Sequence, residues 1–195
     1  KKFMDNLGLS QAVLIGHSFG GQVVQHFAAA YPERVLALVL SNTVAATQPP
    51  VGITKDAKQR IDGYGSGEDN RKVLSANIPR YFDAANVTGE DIEHFIGIGL
   101  QAGSEALRET LNANHATPAI PEARYMDFKA PVLILVSTHD PFGIFDHAAA
   151  MSDAFPNSRI EVITGCGHTP MWERPSVFAG KVMEFLRDVN LNFFR

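Results

Sequence analysis

Short, uninterrupted apolar runs alternate with helix-like segments near the beginning of this chain. Residues 12–15 form an apolar run that Gly16 follows at once, which predicts a buried strand. Residues 22–31 predict an Ala-rich helix closed by Pro32, and residues 35–40 predict a second strand. A strand, a helix and a strand in this order indicate a βαβ unit, whose continuous apolar strands belong to a parallel sheet covered on both faces.

The middle of the chain follows a different pattern. Residues 44–129 contain helical segments and loops without a clear strand. Thr88 and the acidic residues after it resemble a helix start, and residues 104–114 predict a further helix. Residues 63–67 are rich in glycine and predict a loop. We interpret this stretch as a helical insertion rather than a separate domain.

The alternation of strands and helices returns after the insertion. The pattern predicts a strand, a helix, a strand and a closing helix, in that order, over residues 131–136, 146–155, 159–163 and 175–189. The predicted fold class is therefore α/β, with a mostly parallel sheet in one catalytic domain. Residues 1–43 and 130–195 supply the core, and residues 44–129 form the insertion.

The composition of the 195 residues is that of a globular protein, with 45% hydrophobic and 19% charged residues. A formal net charge of −4 and the lack of a basic stripe argue against a nucleic-acid partner. No apolar run reaches the roughly 18 residues of a membrane span, so no membrane partner is expected. The single cysteine, Cys166, favours a reducing compartment, and we expect a cytoplasmic protein unless a signal precedes Lys1.

The sharpest chemical signal is a G-x-S-x-G motif directly after the first predicted strand. Ser18 lies between Gly16 and Gly20, and a helix follows. A tight strand-to-helix turn exposes the central serine and requires small neighbours, so we expect side chains at both glycines to collide. The turn also directs the backbone N–H of Phe19 toward the position where an oxyanion would form. The motif predicts a nucleophilic serine.

A serine nucleophile needs a base, and seven histidines are available. His168 follows the fourth predicted strand, and the carboxyl ends of parallel strands lie at one rim of the sheet. It therefore lies on the same rim as Ser18. We interpret His17 as a structural residue of the turn and His26 as a packed or surface residue. His139 is a candidate for a substrate pocket.

The base in turn needs an acid that orients it. Asp140 directly follows the third predicted strand and lies on the same rim. Asp146 is the alternative, but its position at a helix start is explained by capping. The order Ser18, Asp140, His168 is the nucleophile–acid–base order of one hydrolase fold in particular.

Other chemistries are poorly supported. No Lys-Ser or Lys-Thr follows the glycines of the turn, which excludes a phosphate-binding P-loop. A dinucleotide fingerprint fails at Gly165–Cys166–Gly167, because Pro170 stands where the third glycine belongs. Cys166 is interpreted as a small buried residue. No cluster has the spacing of metal ligands, so we expect no metal and no cofactor.

Three motifs together resemble the α/β-hydrolase superfamily. They are residues 16–21, the Asp140 turn after residues 131–134, and residues 167–175. Within the superfamily the chain resembles carboxylesterases, enol-lactonases, meta-cleavage carbon–carbon hydrolases and cofactor-free haloperoxidase-like esterases. The resemblance implies that residues 44–129 are the family's helical cap.

The chain departs from the family before the serine turn. The family's early strands, which carry a His-Gly loop with the second oxyanion donor, are not in this sequence. Residues 3–7 also predict a helix that lacks its first turn. We expect one sheet edge to be uncovered, with a second chain or a preceding segment completing the sheet. The chain would then be a fragment, a processed product or one half of a split protein.

The resemblance implies a serine hydrolase that cleaves a carboxylic ester or lactone of a small, fairly apolar molecule. Ser18 would be the nucleophile, His168 the base and Asp140 the acid, with the Phe19 N–H in the oxyanion hole. Two alternatives remain open: a meta-cleavage carbon–carbon hydrolase with the same residues, and a non-catalytic hydrolase-like receptor. A serine at this position argues against haloalkane dehalogenases and epoxide hydrolases.

Aromatic residues of the insertion and of the histidine region are candidates for an apolar substrate pocket. They are Tyr81, Phe82, Phe95 and Trp172, and His17 and His139 join them because they neighbour the catalytic candidates. Aromatic residues at such spacings also occur in plain hydrophobic cores.

Overall fold

The computed structural model describes residues 1–50 and 52–190. Its sheet has four parallel strands in the order β1–β2–β3–β4: Ala12–His17, Val35–Ser41, Val132–Ser137 and Ser158–Ile163. His17 lies opposite Ser41, which lies opposite Leu135, while Ser137 lies opposite Ile163. The carboxyl ends of all four strands therefore meet at one rim. The predicted α/β class and parallel sheet are confirmed.

Helices precede, connect and follow these strands. In chain order α1 to α8 are Lys2–Asn6, Phe19–Ala30, Lys55–Gly63, Gly67–Tyr81, Gly89–Ala116, Ile144–Ala154, Pro170–Glu173 and Pro175–Asp188. Helix α2 begins three residues before the predicted start, because the serine turn leads straight into the helix. Helix α6 begins two residues early, after Gly143 in a left-handed conformation with φ 64°.

Hydrophobic residues cover both faces of the sheet. Along β2, Leu38 and Leu40 pack with α2 and α6 on one face. Ala37 and Val39 point the other way, because side chains alternate along a strand, and they pack against Phe185 and its neighbours on α8. All four strand residues are fully buried. This explains the continuous apolar runs in the sequence, since each strand has no solvent-facing side.

Helices α3, α4 and α5 lie between β2 and β3. A capping box at Thr88 and Asp91 starts α5, as the sequence predicted. Gly103, with φ 78°, interrupts α5, so the predicted helix over residues 104–114 corresponds to its second half. Tyr64, Leu74 and Ile96 form a small hydrophobic cluster that holds the three helices together. The insertion thus has a core of its own beside the sheet.

Strand β1 is an outer strand of the described sheet. Ile15 on this strand is 50% exposed, although it lies in the middle of an apolar run. Strand β4 is the other outer strand, and it exposes Ile160 and Val162. Within the described residues, no helix has both the length and the apolar character needed to cross a membrane.

Candidate active site

The backbone at Ser18 has the strained geometry that its position between β1 and α2 requires. Its φ is 51° and its ψ is −124°, a region that residues other than glycine rarely adopt. Two hydrogen bonds hold this conformation: Ser18 N–H donates to Ser41 O at 3.0 Å, and Thr43 Oγ1 donates to Ser18 O at 2.6 Å. The turn presents the Ser18 hydroxyl at the rim of the sheet.

Two glycines around the serine are required by close contacts. A Cβ at Gly16 would lie 2.5 Å from Val24 Cγ2, and one at Gly21 would lie 2.3 Å from Thr43 Oγ1. The collision expected at Gly20 does not occur, since a Cβ there meets nothing within 4 Å in the described part of the chain. The second position that requires glycine is therefore Gly21, because this residue of α2 packs directly against the loop after β2.

His168 and Asp140 join Ser18 in a continuous line of hydrogen bonds. The Ser18 Oγ–His168 Nε2 distance is 2.8 Å, and the His168 Nδ1–Asp140 Oδ2 distance is 2.6 Å. Since a carboxylate only accepts, Nδ1 carries the imidazole proton in this arrangement, and Nε2 accepts from the serine hydroxyl. The side chains of His168 and Asp140 are 5% and 0% exposed. The structure thus brings the three predicted side chains together, with the histidine and the aspartate buried.

Asn42 and the backbone of Phe142 hold the Asp140 carboxylate. Asn42 Nδ2 donates to Oδ2 at 2.8 Å, and the Phe142 N–H donates to Oδ1 at 2.9 Å. Burial alone raises the pKa of Asp140, but the hydrogen bond and charge of His168, with these two donors, outweigh it and lower the pKa below its usual value. The carboxylate therefore stays ionised. Asp146, the alternative acid, lies in the first turn of α6 and takes no part in this network.

His17 holds the histidine loop, which we define as residues 164–169, through a hydrogen bond to its backbone. Its Nε2 donates to the His168 carbonyl oxygen at 2.7 Å, and the two rings lie 4.8 Å apart. Burial, with a smaller contribution from His168, lowers the pKa of His17 to about 4. The His17 ring is therefore neutral at pH 7 and serves as a hydrogen-bond donor. This agrees with its interpretation as a structural residue.

Glu173 on α7 is a buried carboxylate that ties the histidine loop to the insertion. Its Oε2 accepts from Gly167 N at 2.8 Å, Asp83 N at 3.0 Å and Asn86 Nδ2 at 3.2 Å. Its Oε1 accepts from Thr169 N at 3.1 Å. These charge-assisted bonds fix the backbone on both sides of the histidine. The loop geometry thus depends on a residue outside the Ser–His–Asp line.

A cavity of about 470 Å³ opens beside the serine and is called the main cavity below. Ser18, His168 and Tyr81 all line it. The Tyr81 carbonyl also accepts from His168 N at 3.1 Å, which brings the end of α4 to the site. Helices of the insertion therefore form one wall of the cavity.

The other pocket candidates lie outside the main cavity. Phe82, Phe95 and Trp172 pack edge to face on one another, with ring centroids 5.0 to 6.3 Å apart. His139 is exposed, and its Nδ1 lies 2.6 Å from Asp83 Oδ2. Neither these four residues nor His17 belong to the described residues that line the main cavity, so the structure does not place the expected pocket there. Phe82 and His139 instead line a second cavity, together with Asp83.

A family model described as the Alpha/beta hydrolase family matches residues 2–181 of the chain. The chain belongs to the alpha/beta hydrolase family. This confirms the family predicted from the three motifs.

Two groups of known proteins are similar to this alpha/beta hydrolase. A 2-hydroxy-6-oxononadienedioate/2-hydroxy-6-oxononatrienedioate hydrolase of Burkholderia vietnamiensis is 30% identical over 94% of this chain and 65% of its own length. An esterase structure from Thermogutta terrifontis has a TM-score of 0.79 at 26% identity, over 96% of this chain and 69% of that one. An enol-lactonase structure from Burkholderia xenovorans has a TM-score of 0.74 at 22% identity, over 95% and 69% of the two chains, and shows the fold.

The chain spans 65% of the length of the Burkholderia protein and 66% of the length of two similar hydrolases from Comamonas testosteroni. These relatives are named as hydrolases of 2-hydroxy-6-oxo dienoates and dioates, whereas the structural neighbours include an esterase and an enol-lactonase. The comparisons therefore establish the family.

Sequence reasoning missed Asn42, Glu173 and His147 in this hydrolase. Asn42 directly follows β2 at the same rim as Ser18, so its position at a strand end is a signal that could have identified it. Glu173 carries no comparable signal, since only the fold shows that it is buried. His147 lines the main cavity, and its Nδ1 lies 3.4 Å from Ala45 N.

No group of side chains in the described residues has the arrangement of a metal site. Cys166 lies close to the site but is fully buried. Burial, with the nearby Glu173 carboxylate, raises the pKa of its thiol to about 11. A thiol with such a pKa stays protonated at neutral pH, which agrees with its interpretation as a buried, unreactive residue.

Proposed function

We propose that the protein hydrolyses a carboxylic ester or lactone of a small molecule through Ser18, His168 and Asp140. The observation that carries the proposal is the unbroken line of short hydrogen bonds from Ser18 Oγ through His168 to Asp140, at the wall of the main cavity. Such a line joins a nucleophile, a base and an orienting acid within proton-transfer distance. An esterase structure among the similar proteins supports the same class.

In the first half of the reaction, Ser18 Oγ attacks the substrate carbonyl carbon. The hydroxyl proton passes to His168 Nε2 as the bond forms, and Asp140 stabilises the resulting imidazolium through Nδ1. The tetrahedral intermediate collapses when the imidazolium returns the proton to the departing alkoxide. The products are an alcohol and an ester of Ser18. In a lactone the alcohol remains attached to the same molecule.

In the second half, a water molecule replaces the alcohol. His168 Nε2 removes a proton from this water as its oxygen attacks the acyl-serine carbonyl. Collapse of the second intermediate transfers the proton to Ser18 Oγ and releases a carboxylic acid. Asp140 remains ionised in both halves, in keeping with its lowered pKa.

The oxyanion of each intermediate needs a hydrogen-bond donor, and Phe19 supplies one. Phe19 is the first residue of α2, where backbone N–H groups have no partner within the helix. The helix dipole also favours negative charge at this end. One such donor contributes about 100- to 1,000-fold to the rate in hydrolases that use this device.

The test is the hydrolysis of p-nitrophenyl butyrate by the protein and its Ser18→Ala variant. We expect the variant to lose turnover by at least about a thousandfold, because no other nucleophile takes the place of the hydroxyl. Ser176→Ala, at an exposed position on α8, is the matched control and should retain full activity. A fluorophosphonate probe should label the wild type and the control but not Ser18→Ala. Equal turnover by all three proteins would remove Ser18 from the mechanism.

A carbon–carbon hydrolase of the meta-cleavage type is the second candidate. It is favoured by the 30% identical relative from Burkholderia vietnamiensis, which is named a hydrolase of 2-hydroxy-6-oxononadienedioate and 2-hydroxy-6-oxononatrienedioate. The same three side chains serve both reactions, so geometry at Ser18 does not separate them. Assaying the wild type with 2-hydroxy-6-oxo-6-phenylhexa-2,4-dienoate beside p-nitrophenyl butyrate compares them directly. The substrate with the higher kcat/KM identifies the reaction class.

A further inference from the structure

Three charged residues of the insertion line the main cavity together with Ser18 and His168. Asp56 and Arg60 belong to α3, and Arg80 belongs to α4. Asp56 is the only acidic residue among the described residues that line the cavity, whereas two arginines line it. A guanidinium is always protonated in a protein, so this part of the wall carries one net positive charge.

The two arginines share a single carboxylate oxygen. Arg80 Nη1 lies 2.7 Å from Asp56 Oδ2, and Arg60 Nε lies 3.5 Å from the same atom. One carboxylate can satisfy one guanidinium in a two-pronged arrangement, but it cannot satisfy two. Most of the ten N–H donors of the pair are therefore left for other acceptors.

Arg60 has the greater need for hydrogen-bond acceptors, because its side chain is only 15% exposed and so has little contact with water. Its Nε is fully buried and has no hydrogen-bond partner within residues 1–50 and 52–190. Its other polar contact, from Nη1 to Asn77 Oδ1, is long at 3.5 Å. A mostly buried guanidinium with so few acceptors is costly unless an anion in the cavity accepts from its remaining Nη donors.

The remainder of the cavity wall is mostly neutral near the serine. Phe142, Ile144 and Leu111 line it as apolar residues. His147 also lines it, and burial lowers the pKa of this histidine, which favours the neutral ring. The cavity thus combines an apolar region with a single cationic patch formed by Arg60 and Arg80.

We propose that Arg60 and Arg80 bind a carboxylate of the substrate, so that the protein prefers an ester or lactone carrying a second, free acid group. The inference rests on the proposed function for the scissile bond and adds the class of molecule that carries it. A carboxylate fits better than a phosphate dianion, because one net positive charge is available and the planar guanidinium matches two carboxylate oxygens.

The test compares two p-nitrophenyl esters with the same adipate chain. One has a free carboxylic acid at its other end, and in the other this acid is a methyl ester. Each rate is corrected for spontaneous hydrolysis. We expect wild-type kcat/KM to favour the free acid by about 10- to 100-fold, the range that a hydrogen-bonded charge pair supports. In Arg60→Met and Arg80→Met this preference should fall toward one. Asp56→Asn removes the competing carboxylate and should increase the preference.

Matched controls lie on the same helices but outside the cavity. Lys58 on α3 pairs with Asp62, and Arg71 on α4 pairs with Glu93, both at exposed positions. Lys58→Met and Arg71→Met remove the same charge and should keep the wild-type preference for the free acid. Loss of the preference in these controls would assign it to overall charge and overturn the proposal.

A binding measurement separates failure of this inference from failure of the hydrolase proposal. Adipate is titrated calorimetrically into Ser18→Ala, which keeps the cavity and cannot turn over, and into Ser18→Ala combined with Arg60→Met or Arg80→Met. Binding that either arginine substitution weakens at least about tenfold supports the carboxylate site even if no ester is hydrolysed. Absence of binding to Ser18→Ala, or equal binding by all three, would overturn it and leave the arginines a structural clamp.

Discussion

Asn42 donates a 2.8 Å hydrogen bond to Asp140 Oδ2, the same oxygen that lies 2.6 Å from His168 Nδ1. The amide is itself oriented, because its Oδ1 accepts from Ser41 Oγ at 3.1 Å and from Ser137 Oγ at 3.4 Å. The ends of β2 and β3 thus cooperate to aim the acid at the histidine. Asn42 is a positioning residue for the reaction we propose.

Replacing Asn42 should therefore reduce activity without removing any group that touches substrate. We expect kcat/KM to fall about 10- to 100-fold in Asn42→Gly, since a hydrogen bond to a charged group contributes about 1.5–3 kcal/mol. Glycine is the appropriate choice because Asn42 has a φ of 46°. Asn42→Ala loses the same bond and adds backbone strain, so it should match Asn42→Gly in kcat and unfold at a lower temperature. Full activity in Asn42→Gly would show that Asp140 needs no such support.

Because the turn at Ser18 is strained, we expect a substitution there that relieves the strain to remove activity and increase stability. Ser18→Gly should abolish hydrolysis and also raise the free energy of unfolding by about 1 kcal/mol, because glycine adopts φ 51° without strain. For a domain of this size that corresponds to a rise of roughly 2–4 °C in Tm. Ser18→Ala is the control: it loses the hydroxyl but keeps the strain, so its Tm should not rise. A Tm gain in both variants would locate the effect in the hydroxyl and not in the backbone.

Glu173 predicts a coupled loss of stability and turnover. Glu173→Gln keeps the size of the side chain but directs an NH₂ group at backbone N–H donors, so one or more donors lose their acceptor. We expect the free energy of unfolding to fall by about 2 kcal/mol, with a lower kcat because the histidine loop loosens. Chemical denaturation and steady-state kinetics measure the two effects.

Glu184→Gln provides the comparison for Glu173→Gln, since Glu184 is exposed on the neighbouring helix α8. It makes the same change of charge and should alter neither stability nor kcat. If Glu173→Gln also leaves both quantities unchanged, the histidine loop is held by other contacts, of which the bond from His17 is the first to examine.

His17 predicts a dependence of stability on pH. Its pKa falls from an ordinary 6.5 to about 4 in the folded protein, mainly through burial. Between these values the unfolded state binds the proton and the folded state does not, so stability decreases as pH falls from 6.5 to 4. The contribution is about 3 kcal/mol at roughly 1.4 kcal/mol per pKa unit.

The measurement is the free energy of unfolding of wild type and His17→Gln at several pH values from 7 to 4. Glutamine can still donate to the His168 carbonyl but does not titrate, so its curve should be shallower across this interval. His94→Gln, at an exposed position, should retain the wild-type slope. Parallel curves for wild type and His17→Gln would mean that His17 titrates alike in both states.

The parts of the fold that the sequence predicted well are encoded over short distances. The strand over residues 35–40 was evident because both of its faces are buried, which leaves an unbroken apolar run. The start of α5 was evident from the capping box at Thr88 and Asp91. The start of α2 was placed late, because the strained Ser18 and two following glycines hide the beginning of that helix.

The candidate site was predicted unevenly for a similar reason. Ser18, Asp140 and His168 follow directly from strand ends, and the parallel sheet brings all strand ends to one rim. The pocket residues do not follow from any such rule. Phe82 and Trp172 lie next to residues of the site along the chain, yet their rings pack on each other. Tyr81, and neither of these two, lines the main cavity.

By itself the sequence determined the order of strands and helices, the serine turn and the three residues at the strand ends, because each depends on neighbours along the chain. Only the tertiary structure decided which side chains meet across large separations. Asn42 is 98 residues from Asp140, and Glu173 is 90 residues from Asp83. Arg60 and Arg80 likewise line the same cavity as Ser18 although they lie 42 and 62 residues after it in the chain. Contacts of this kind depend on side-chain direction and burial, which no local pattern of residues specifies.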